Sequence, residues 1–70
     1  MELIPPPFTY RGYRVQALWE LAGARGYFGV ARITREDFFT QVKTAFTYRV
    51  SDVAVQRAEE LARNWIDEHQ

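Results

Sequence analysis

The 70-residue sequence carries few side chains able to do covalent or acid–base chemistry. Its single histidine, His69, stands beside the carboxyl terminus, where chain ends fray. Neither an oriented general base nor a preformed metal ligand is expected there. Cysteine is absent, which removes thiolate nucleophiles, disulfides and the sulfur ligands of structural zinc sites. The one serine, Ser51, has no histidine near it in the chain to activate it. Glu36 and Asp37 are adjacent carboxylates; a hydrolytic pair would need a cleft holding them on opposite sides of a substrate, whereas a turn needs only their polarity. Gly23-Ala24-Arg25-Gly26 has the glycines of a phosphate loop but no lysine, and an apolar alternating stretch follows where a helix should begin. The residues predict no enzyme, no catalytic or cofactor-binding group and no metal.

What remains is binding chemistry. Eleven aromatic residues make up 16% of the chain, and 47% of residues are hydrophobic. That composition belongs to a folded domain rather than a disordered tail. Nine basic residues balance nine acidic ones, for a net charge of zero. A DNA-coating or polybasic membrane-surface protein would carry a large positive excess. The zero is a cancellation: residues 1–49 hold seven basic and four acidic residues, and residues 50–70 hold two basic and five acidic. The first part is thus cationic by three charges and the second anionic by three. The length allows one domain, and a domain of ~60 residues buries only about 60% of its unfolded surface. No apolar run approaches the ~20 residues a membrane-spanning helix needs, and no signal-peptide pattern opens the chain. A soluble, cytoplasmic protein is the expectation. Arginine outnumbers lysine eight to one, which reads as coding bias.

The elements that must position these groups follow from periodicity. Pro5-Pro6-Pro7 fixes three φ angles and removes three donors, so residues 1–7 are expected to form an extended lead-in to a single domain over 8–70. Phe8–Tyr10 and Tyr13–Leu21 alternate with period two. Gly12, able to take positive φ, makes Arg11-Gly12 a two-residue hairpin flanked by Tyr10 and Tyr13. A second turn lies at Leu21–Gly26 and a strand at Tyr27–Thr34. Setting Leu21 opposite Tyr27 places Trp19 across from Gly29, Ala17 from Ala31 and Val15 from Ile33, so the indole lies over the glycine. After the charged turn Arg35-Glu36-Asp37, Phe38–Phe46 alternates again. Ser51 and Asp52 are good helix caps. From there Ala54, Ala58, Leu61, Ala62, Trp65 and Ile66 form a helical stripe, with Glu59–Arg63 and Arg63–Asp67 as (i, i+4) pairs. The predicted class is α+β: a three- or four-stranded antiparallel sheet followed by one carboxy-terminal amphipathic helix on one face. Tyr13, Trp19, Phe38, Phe46 and Trp65 are assigned to the helix–sheet core.

One helix covers one face. The other carries Arg14, Gln16, Leu18, Phe28, Val30, Arg32, Phe39, Gln41 and Lys43, with Glu20 beside them. Leu18, Phe28, Val30 and Phe39 make that face unusually apolar for a small monomer. These nine residues are the candidate partner surface, and the expected function is protein–protein interaction through this face or an edge strand, with homodimerisation as its commonest form. A second reading takes Arg14, Arg32 and Lys43 beside Phe28 and Phe39 as a cationic aromatic face for single-stranded RNA.

Phe8-Thr9-Tyr10-Arg11-Gly12-Tyr13-Arg14-Val15 and Ala58, Ala62 and Trp65-Ile66-Asp67 resemble small uncharacterised bacterial single-domain proteins with a hairpin-rich sheet and one terminal helix. The resemblance covers residues 8–67 and implies a fold, not an activity. More distantly the chain resembles the HicB-type antitoxin domain, which also has a three-stranded sheet and a helix. It lacks that family's Pro-Asp-Leu-Pro-Gly-Cys-type segment and any appended DNA-binding element, so no functional residue carries over.

Overall fold

The computed structural model describes residues 4–69; the start of the expected lead-in, residues 1–3, lies outside them. Four strands, β1 (Phe8–Tyr10), β2 (Tyr13–Leu21), β3 (Tyr27–Arg35) and β4 (Phe38–Lys43), precede one helix, α1 (Ser51–Glu68). The sheet is an antiparallel meander in the order β1-β2-β3-β4. Its first turn is the one the sequence predicts: Tyr10 pairs with Tyr13, and Arg11 and Gly12 take φ of 50° and 85°. Positive φ at both central residues twists the turn in the sense of its strands. Between β2 and β3 a short 3₁₀ turn at Gly23–Arg25 reverses the chain.

The β2–β3 register is also as predicted, with Val15 on Ile33, Ala17 on Ala31, Trp19 on Gly29 and Leu21 on Tyr27. These odd-numbered residues face α1. Val15, Ala17, Ala31 and Ile33 form one buried cluster with Val55, Ala58, Ala62 and Ile66 of the helix. Small side chains on both layers let the helix descend onto the sheet. At Gly29 the approach is complete: a Cβ there would lie 2.0 Å from the Ala54 carbonyl oxygen and 3.1 Å from the Ala58 Cβ. The glycine across from Trp19 therefore makes room for the helix backbone, while the indole packs edge-on against Tyr27.

Five local expectations are corrected. The last strand stops at Lys43, not Phe46. The Gly29 amide donates to Thr44 Oγ1, and the Thr44 hydroxyl donates to the Phe46 carbonyl, which bends the chain out of the sheet. Phe46 is consequently 74% exposed and no part of the core. Phe38 is 44% exposed, lying on the rim stacked against Trp65 with ring centroids 5.6 Å apart. The helix starts with Ser51 as its first residue, and extended Val50 occupies the cap position without a side-chain cap bond. The pairs Glu59–Arg63 and Arg63–Asp67 do not form among the described residues, because tertiary partners compete. Arg63 lies over the Phe8 ring at 4.8 Å, while Asp67 accepts from the Tyr10 hydroxyl at 3.0 Å and pairs with Arg11 Nε at 2.9 Å. Tyr10 first, through its hydrogen bond and charge, and then Asp67 hold the Arg11 guanidinium above its ordinary pKa.

Candidate interaction surface

The strand register brings all nine candidate residues onto the face away from α1. Across it run the rows Leu18–Val30–Lys43, Gln16–Arg32–Gln41 and Arg14–Thr34–Phe39, with Glu20 beside Phe28 at one end. Adjacency is not accessibility, however. Val30 is only 5% exposed, and Leu18 and Phe28 are half-buried. Long charged side chains lie over this apolar end. Lys43 Nζ meets Glu20 Oε2 at 2.6 Å and stands 4.4 Å from the centre of the Phe28 ring. Arg25 approaches the same ring at 5.9 Å. Aliphatic stems cover apolar surface while their charged ends stay wet. The expected run of open apolar surface is thus corrected: on this face the large hydrophobic side chain left exposed is Phe39, at 58%. Arg14 and Arg32 beside it form no ion pair among the described residues.

Phe39 belongs to the outermost strand, which adds backbone to the surface. Thr44 donates its amide to the Gly29 carbonyl at 2.8 Å. By the alternation of an antiparallel ladder, Val42, Thr40 and Phe38 also turn their N–H and C=O groups toward β3, and Lys43, Gln41 and Phe39 turn theirs outward. The outer margin of β4 is therefore a row of backbone groups with no partner among the described residues, bordered by Phe38 and Phe39. The opposite margin is different. β1 is three residues long and follows Pro5–Pro7, which have no N–H to offer. Gln16 Nε2 donates there to the Pro5 carbonyl at 3.0 Å and the Ala17 carbonyl at 3.4 Å, while β2 beyond Val15 pairs with no outer strand among the described residues. Shortness and proline are common protections of a sheet edge; β4 has neither.

On the helix side of β4 a cavity of about 350 Å³ opens between Thr44, Phe46 and Tyr48 of the connection and Arg57, Leu61 and Asn64 of α1. Its apolar walls continue the β4 margin. A second aromatic group lies at the other end of the strand. Trp65 stacks on Phe38 and on His69, the latter at 3.9 Å, and Tyr13 meets both Trp65 and Phe38 edge-on. His69 caps the end of α1, where its Nδ1–H donates to the Trp65 carbonyl at 2.7 Å. Sequence reasoning allowed an edge strand as the docking surface but did not single out β4. The signal was there in the contrast between proline before the first strand and none around the last.

No protein-family model matches the chain, and neither a curated protein nor a solved structure is significantly similar to it.

Proposed function

We propose that the protein is a non-enzymatic interaction module that docks an extended polypeptide strand along the outer margin of β4. The observation that carries this reading is the outward row of Phe39, Gln41 and Lys43 backbone groups, bordered by exposed Phe38 and Phe39. Main-chain hydrogen bonds supply affinity in strand addition, and pockets for alternate side chains supply selectivity. The covered apolar end of the open face, around Val30, acts as the rigid back of the site.

The test titrates two synthetic hexapeptides, one with the sequence Phe38–Lys43 and one alternating threonine and valine, into isotope-labelled protein. Amide shifts concentrated at Phe39, Gln41 and Lys43 are expected. Shifts absent for both peptides, or confined to β1 and β2, overturn the reading.

One observation favours a second reading. Arg14 and Arg32 form no ion pair among the described residues and stand beside exposed Phe39, and a cation next to an aromatic face suits single-stranded nucleic acid. Under that reading an eight-nucleotide oligouridylate moves the Arg14, Arg32 and Phe39 amides at low salt, with affinity falling steeply as salt rises. Unmoved amides at low salt remove it.

A further inference from the structure

We infer that the strand docked on β4 is the β4 of a second copy of this chain, paired antiparallel about a two-fold axis through Thr40. The inference rests on the edge-docking reading and names its occupant.

Symmetry leaves few choices. An antiparallel pair related by a two-fold axis normal to the sheet sets each residue opposite one of the same face, so both helices lie on one side of a continuous eight-stranded sheet. The outward residues Phe39, Gln41 and Lys43 must meet one another for their N–H and C=O groups to bond. Of the registers that bring outward residues together, those centred on Thr40 and on Gln41 overlap most of Phe38–Lys43. Side chains decide between them. Centred on Thr40, the strand sets Thr40 against Thr40, Phe38 against Val42 and Phe39 against Gln41, and brings Asp37 opposite Lys43. Threonine pairs, aromatic–β-branched pairs and opposite charges are the favourable cross-strand combinations. Centred on Gln41, it sets Phe39 against Lys43 and Phe38 against Thr44, and the carboxylate of Asp37 meets Ala45.

The Thr40 register also uses the rest of the margin. Phe38 of the second copy, opposite Val42, comes in on the helix side, where the cavity beside Thr44, Phe46 and Leu61 is open. Asp37 and Lys43 are both exposed; Lys43 already meets Glu20 within its own chain, and the pairing brings a second carboxylate, Asp37 of the other copy, to it once on each side of the axis.

The experiment is sedimentation equilibrium from micromolar to millimolar concentration on the intact chain and three variants. Wild type is expected to reach a dimer. Gln41→Pro removes an N–H that makes no bond to β3 and is expected to leave a folded monomer. Should that variant lose its circular dichroism, Asp37→Lys serves instead. It lies in the exposed turn, sets like charges opposite Lys43 in this register alone, and is expected to weaken the dimer about tenfold. Thr40→Cys stands at a pair whose Cα atoms are about 4.5 Å apart, within disulfide reach. Mild oxidation is expected to give a covalent dimer, with Arg32→Cys on the inner strand as the control that does not.

A wild type that stays monomeric at millimolar concentration overturns self-pairing. A dimer that ignores Asp37→Lys and does not cross-link through Thr40→Cys overturns this register. In either case the threonine–valine peptide separately decides whether β4 docks strands at all, so the two proposals fail independently.

Discussion

Gly29 shows how a single residue fixes the separation of two layers. Its missing Cβ is what lets the Ala54 carbonyl sit against β3. An alanine suits a strand better than glycine in the abstract, yet here it must push backbone rather than a pliable side chain. Gly29→Ala is therefore expected to destabilise the fold by about 3 kcal/mol, at the upper end for overpacked sites. A lowered denaturant midpoint with an unchanged slope checks this. Val50 is the opposite case. It occupies the cap of α1 with an extended backbone and no side-chain oxygen to offer the first turn. Because it is exposed, Val50→Asp is expected to add about 1 kcal/mol by supplying that acceptor and a favourable charge at the helix start. Thermal unfolding of the two variants side by side gives opposite shifts.

At the scale of elements, the β1–β2 hairpin and the end of α1 hold one another. Asp67 takes the Tyr10 hydroxyl and the Arg11 guanidinium together, and Arg63 lies over Phe8 and Tyr10. Exposed pairs of this kind contribute little to global stability, so their effect is local. Asp67→Ala is expected to speed amide exchange of Phe8 and Tyr10 several-fold while leaving β2 and β3 protected, as suits an edge hairpin that opens below the global unfolding limit. Equal acceleration in β3 would mean that the hairpin is not a separate opening unit. The other margin has no such tie. β4 is held to β3 by its own ladder and to Trp65 through Phe38, and its remaining groups face outward.

The whole molecule measures 36 × 23 × 17 Å and exposes 4892 Å². A compact monomer of its mass, 8.2 kDa, would expose roughly 4,500 Å². The molecule is flattened, with its helix on one face of the sheet, and covering β4 would remove part of the exposed area. If the chain pairs with itself, stability becomes a function of concentration. The unfolding temperature of wild type is then expected to rise with protein concentration, and that of Gln41→Pro to stay constant. A wild-type midpoint that does not move with concentration would count against pairing as firmly as a monomeric sedimentation profile.

The sequence alone determined the order of elements, the Arg11-Gly12 turn, the β2–β3 register and the membership of the open face, because period-two alternation, positive-φ demand and cross-strand size matching are local signals carried by the residues themselves. It misjudged Phe46, the helix cap and the charges on α1. There a distant group intervened: Thr44 turned its hydroxyl to Gly29, and the first hairpin captured Arg63 and Asp67. Tertiary structure alone decided which apolar residues on the open face stay exposed. Val30 and Phe39 are both hydrophobic residues on one face of one sheet, but the first lies on an inner strand and is 5% exposed, whereas the second lies on the outermost strand and is 58% exposed. Accessibility depends on where in the sheet each strand comes to lie, and no pattern within a single strand records that.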